Sequence, residues 1–130
     1  MKPHTPILLY CANRELLSTL AFALRLHPYR VTTVEDSIEA SLLARDRCAA
    51  FACAVLVHAQ QGDFAGRLIH RILEAALPMP LLLVDRAGDL APVRYADMVL
   101  YGRNTTTAHI LASLWVLCHR KPGPKPRSAA

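Results

Sequence analysis

Acidic residues are scarce in this chain: 10 Asp and Glu stand against 15 Lys and Arg, for a net charge of +5. A surplus of that sign points to nucleic acid when it lies on a folded surface. Here residues 120–130 hold Arg120, Lys121, Lys125 and Arg127 with no acid, so the tail carries +4 and the body only +1. Long apolar runs are lacking too. None approaches the roughly 20 residues that cross a bilayer. The amino terminus has a basic residue and a very short apolar run but no small-residue cleavage site, so a cytoplasmic chain with no membrane association is expected.

Paired cysteine motifs are missing. Cys11, Cys48, Cys53 and Cys118 show no CxxC spacing; Cys11 and Cys53 fall in strand-like runs and Cys118 in an apolar helical run. Buried, reduced thiols are therefore expected rather than zinc or disulfides. His4, His27, His70, His109 and His119 share no metal-ligand spacing, and Gly62 and Gly66 belong to no phosphate-binding loop of the GxGxxG or GxxxxGK[ST] kind. Neither a metal nor a cofactor is expected.

What the chain does have is apolar substance. Its 130 residues suit one domain, and 53% hydrophobic residues exclude global disorder. The organising stretch is residues 51–66, FACAVLVHAQQGDFAG, where the apolar run 52–57 reads as a central strand buried on both faces. His58 follows at its carboxyl end, where open α/β sheets gather their ligand chemistry.

Taken in order, residues 6–10 predict a first strand. Asn13 then caps a helix with Leu16, Leu17, Leu20, Ala21 and Leu24 at helical spacing, closed by His27 and Pro28. Residues 30–34 are β-rich and half polar, as an edge strand is. Asp36 with Glu39 starts a second helix running to about Cys48. After the central strand, Phe64, Leu68, Ile69, Ile72 and Leu73 trace a third helix over 64–76, and Pro78 and Pro80 break the chain before a buried strand at 81–84. Residues 86–96, with Gly88 and Pro92, leave room for a fourth helix that is short or irregular. A fifth strand at 98–101 and a last helix at 105–119 complete the body. In that last helix Ile110, Leu111, Leu114, Trp115, Leu117 and Cys118 make a broad apolar face. Strands alternating with helices imply a parallel sheet with helices on both faces. The expected organisation is an α/β domain over 1–119 and an extended, basic, Pro-rich tail over 120–130.

The segments ILLYCANRELL, AVLVHAQQGDFAGRLI, PMPLLLVDRAGD and ADMVLYGR, in this order, resemble the receiver domain of bacterial response regulators over about residues 6–119. The resemblance implies a flavodoxin-like five-stranded parallel sheet of order 2-1-3-4-5. It also implies an acidic pair after strand one, a phosphoacceptor Asp after strand three, Ser or Thr after strand four and Lys after strand five. Laid on this chain, the pair falls on Cys11 and Ala12, with Asn13 next, and the acceptor falls on His58. The hydroxyl falls on Asp85, the Lys on Gly102, and Arg103 stands where a Pro is usual. All five positions depart from the pattern. Mg²⁺ requires hard oxygen ligands, which Cys11, Ala12 and His58 do not offer. The combination resembles a pseudo-receiver, and it implies a non-catalytic regulatory module, independent of phosphorylation, acting through a protein partner or as a homodimer.

Three further expectations follow from particular residues. Cys11, His58 and Asp85 would project near one another at the strand ends, a thiolate–imidazole–carboxylate set that could serve a thiol-based enzyme or sensor; that reading requires an exposed Cys11. Leu111, Leu114 and Trp115, with Tyr101 nearby, are candidates for an interface patch, or alternatively a wide core-facing stripe. The tail sequence RKPGPKPR resembles the core of an AT-hook, but Pro124-Lys125-Pro126 follows Gly123 where the hook has its central Arg. A small DNA-associated regulator contacting DNA through Arg120, Lys121, Lys125 and Arg127 would bind weakly. That binding would be salt-sensitive and would vanish on removal of residues 120–130; a solvated tail is the other reading.

Overall fold

A strand with apolar side chains on both sides has to be covered on both sides, and three strands of this protein are of that kind. In the computed structural model, which describes residues 4–59, 79–86, 97–102 and 105–119, these are β1 (Thr5–Cys11), β3 (Cys53–His58) and β4 (Leu81–Asp85). With β2 (Tyr29–Val34) and β5 (Met98–Tyr101) they form one five-stranded sheet in the order β2-β1-β3-β4-β5. Every pairing is parallel. β2, on one edge, exposes Arg30, Thr32 and Thr33 and buries Tyr29, Val31 and Val34, the half-polar pattern of a strand with one free side.

One face of the sheet is covered by α1 (Arg14–Arg25) and α3 (Thr107–His119). Asn13 starts α1: its side-chain oxygen accepts from the Leu16 N–H at 3.0 Å, and such a cap contributes about 1 kcal/mol. Leu17, Leu20, Ala21 and Leu24 then point at the strands, where they meet Ile7, Leu9, Val55 and Val57. The helix stops two residues before His27, at Arg25, with the Leu26 N–H turned back to Ala23 and Leu24. α3 buries Ile110, Ser113, Leu114 and Leu117 in the same layer, the Ser113 hydroxyl donating to the His109 carbonyl at 2.9 Å. It begins later than residue 105 for a local reason. Thr105 belongs to the turn after β5, donating to the Gly102 carbonyl through both N–H and hydroxyl, while the Thr106 hydroxyl accepts from the His109 N–H and caps the helix.

The opposite face carries α2 (Ser37–Asp46), which brings two small residues, Ala40 and Ala44, against Leu8, Tyr10 and Val34. Asp36 caps it by accepting from the N–H groups of Ile38 and Glu39. The helix ends at Asp46 rather than near Cys48, because Arg47 leaves helical backbone angles and a single 3₁₀ turn, Cys48–Ala50, delivers the chain to β3. At the far edge, Asp97 sets the register of β5: its carboxylate accepts from the Leu81 N–H at 2.7 Å and its own N–H donates to the Leu81 carbonyl.

The helix expected over 64–76, all but Arg86 of the crossover expected over 86–96, Arg103 and the basic tail lie outside the described residues. No helix among the described residues is long and apolar enough to cross a membrane.

Candidate functional site at the carboxyl edge of the sheet

The ends of β1, β3, β4 and β5 bring the sequence-selected residues to one edge, but not to one face. Side chains alternate across a strand. Cys11 lies in register with Val57, and both belong to the core layer beneath α1 and α3. Val84 belongs to that layer too, whereas Leu56 and Leu83 belong to the layer beneath α2. His58 and Asp85, one residue beyond Val57 and Val84, therefore lie on the α2 side. The expected Cys11–His58–Asp85 constellation is not assembled: the sheet stands between the thiol and the other two. Cys11 is also fully buried, without the exposure that a reactive thiol needs.

His58 and Asp85 are neighbours. They pair in register at the last rung of the β3–β4 ladder, and both are buried, at 1% and 0% exposure. The ladder continues past them, with the Arg86 N–H on the His58 carbonyl at 3.0 Å and the Gly102 N–H on the Asp85 carbonyl at 2.9 Å. His58 is thus the last residue of a strand, where the sequence reading ended that strand one residue earlier.

The other positions fare differently. Ala12 is exposed, and Asn13 is half-buried with its side-chain oxygen engaged as the α1 cap. Gly102 takes a φ of +100°, a left-handed conformation that a side chain resists, although a Cβ there would meet open space. Among the described residues no group of three or more His, Cys, Asp or Glu could hold a metal ion. Cys11 and His58 are soft or borderline donors, so this donor set does not fit the hard Mg²⁺ ion that the receiver resemblance implies.

At the amino-terminal end of the sheet two groups have raised pKa values. Burial pushes the Cys118 thiol up. Tyr29 is also raised, first by burial and then by the neighbouring Cys118 and Cys53 thiols. No disulfide joins the described cysteines Cys11, Cys53 and Cys118.

The interface candidates separate as well. Leu114 is fully buried, which corrects its place in a surface patch: it faces the strands. Leu111 is half-buried and packs on the same core. Trp115 is 60% exposed on α3, and Tyr101 is 64% exposed at the end of β5. Met98 and Leu100 pack beneath α3 whereas Val99 packs on the other layer, so alternation sends Tyr101 to the face opposite Trp115. Exposed apolar residues that sequence reasoning missed are Phe22 on α1 and Leu26 just past its end, Ile38 and Leu42 on α2 and Val116 on α3. Their i, i+4 spacing on each of the first two helices was the available signal.

No protein-family model matches the chain, and no curated protein does. Solved structures do. A response regulator receiver domain protein from Clostridium thermocellum is similar at a TM-score of 0.74 and 16% identity, covering 89% of this chain and 95% of that one. The receiver domain of Francisella response regulator 1452 gives 0.72 at 10% identity, over 90% and 98%. The signal receiver domain of an HD domain-containing protein from Pseudomonas fluorescens gives 0.69 at 19% identity, over 91% and 89%. Together with the strand order, these likenesses establish the architecture: the chain has the receiver-domain fold.

Proposed function

We propose that this chain is a non-catalytic, phosphorylation-independent regulatory module of receiver type that works through protein contacts. The observation that carries the reading is His58, a buried imidazole paired in register with Asp85 at the place where the receiver resemblance implies a phosphoacceptor Asp. An imidazole there provides neither the acyl phosphate nor a hard oxygen ligand for Mg²⁺. Phosphoryl transfer depends on positioning and on neutralising the charge of the transferred group. The resemblance implies a Lys for part of that task, at a position held here by Gly102 with its positive φ. The left-handed backbone supports the reading, because a lysine could not be restored there without strain.

Incubation with acetyl phosphate, or with a beryllofluoride analogue, with and without Mg²⁺, tests this reading by intact mass and amide NMR. The expected result is no mass gain and no shift around His58. A Mg²⁺-dependent gain or shift there would overturn it.

A further inference from the structure

Outside residues 120–130 the chain is close to neutral, but its charge is not evenly spread. α1 and α2 run against the strands, so they end where β2 and β3 begin, at the amino-terminal end of the sheet. The exposed Arg25, Arg30, Arg45 and Arg47 gather there. Among the described residues the acids at that end are Asp46 and, on the far edge, Asp97, whose carboxylate accepts from the Leu81 N–H. The carboxyl end is the reverse, with Glu15, Glu35, Asp36, Glu39 and Asp85 against Arg14 and Arg86. α3 also finishes at the amino-terminal end, where its Cys118 neighbours Tyr29, the residue before Arg30. The tail cations Arg120, Lys121, Lys125 and Arg127 therefore join the body at its basic end. We propose that this end of the body and the tail together bind the phosphate backbone of duplex DNA. The proposal is independent of the reading that the module acts through protein contacts.

Part of this polarity is a helix effect. Cations are favoured at the carboxyl ends of helices and acids at the amino ends, which accounts for Arg25 and Arg45 and for Glu15 and Glu39. Arg30, on a strand, has no such reason, and neither have the cations of the tail. Arg25 also reaches over to β2, where its Nη2 donates to the Val31 carbonyl at 3.0 Å and so comes to lie beside Arg30. The ligand follows from what accompanies these charges. A protein partner needs an apolar centre from which water is excluded, and a bilayer needs apolar side chains to enter it. Residues 120–130 contain no aromatic and no large apolar residue. Among the described residues of the connections at this end, Leu26 is the one exposed large apolar side chain. Single-stranded nucleic acid is held by bases stacked on aromatic rings, which are lacking here as well. A duplex asks only for cations, since it presents one negative charge about every 1.7 Å of its axis. Phosphate contacts carry no sequence information, so general rather than site-specific binding is expected.

Fluorescence anisotropy of a short labelled duplex, titrated with the full chain, tests the proposal. Binding should weaken roughly a thousandfold between about 50 and 200 mM salt, as about six phosphate contacts require. Arg30→Gln and Arg47→Gln should each weaken binding about tenfold at the lower salt and make the salt slope shallower by about 0.9. Arg14→Gln, an equal loss of charge at the opposite end, should change it less than about twofold. Changing Lys121, Lys125 and Arg127 together to Gln should weaken binding further while leaving it sensitive to Arg30→Gln. All of these body positions are exposed, and matching far-UV circular dichroism and thermal midpoints would establish that the variants fold. No binding at the lower salt overturns the proposal. So does binding that follows the tail alone and is indifferent to Arg30→Gln and Arg47→Gln. Tighter binding to a single strand of the same sequence, or to vesicles rich in phosphatidylserine, also overturns it by assigning the cations to another ligand.

Discussion

Two regions of this molecule break the ordinary rule of apolar inside and polar outside, and they break it in opposite senses. At the carboxyl edge of the sheet, His58 and Asp85 are polar and almost wholly buried. On α3, Trp115 and Val116 are apolar and largely exposed. A buried polar group has to be accommodated within its own chain, since burial without hydrogen bonds costs several kcal/mol. An exposed apolar face is relieved from outside, by whatever covers it. The first region therefore bears on the stability of the fold, and the second on the protein contacts proposed for the module.

Substitutions can separate the two regions. Leu114 and Trp115 are adjacent on α3, one fully buried and the other 60% exposed. Leu114→Ala should cost about 3 kcal/mol in urea unfolding, the usual cost of emptying a leucine site in a packed core. A loss below about 1 kcal/mol would mean that α3 is not anchored as described. His58→Ala should come next, at about 2 kcal/mol, from the cavity and the lost polar interactions. If this change were neutral, the buried edge would not be part of the fold's stability. Gly102→Lys should cost about 1 kcal/mol or slightly more. Because a Cβ at Gly102 meets open space, Gly102→Ala should cost nearly as much, which would assign the effect to the backbone rather than to the longer side chain.

The pH dependence concerns the amino-terminal end of the sheet. Cys118 and Tyr29 both have pKa values raised in the folded state, so their neutral forms are favoured there. Such groups contribute stability fully below their unfolded pKa, and that contribution is lost as pH rises through the folded one. Unfolding free energy should therefore hold steady through neutral pH and decline above about pH 9, with a shallower decline in Cys118→Ala. The smallest effect belongs to Trp115→Ala. Measured on dilute, monomeric protein it should change unfolding by under about 0.5 kcal/mol, as exposed substitutions do. A large loss would show that the indole is part of the core after all.

Much of the architecture was legible in the residues themselves. The all-apolar runs of β1, β3 and β4 demanded cover on both faces, and the half-polar β2 belonged on an edge, as the sheet order bears out. Asn13 and Asp36 marked two helix starts because their side chains are chemically suited to unsatisfied N–H groups, and both act as caps. The site was legible as a set of positions but not as an arrangement. Cys11, His58 and Asp85 each end a strand, and sequence alone treats strand ends as neighbours; only the register divides them between faces. Leu114 and Trp115 looked alike for a similar reason, since a helix apolar nearly all round offers no periodicity from which to tell inward from outward.

The sequence by itself determined the alternation of elements, the apolar centre of the sheet and the identity of every residue at its carboxyl edge, because these depend on composition and local spacing. Tertiary structure decided which face of the sheet each edge residue occupies, that Asp97 locks β5 against β4, and that Trp115 rather than Leu114 meets solvent. Those outcomes turn on register and on helix rotation about its axis, and the packing of the whole chain sets both.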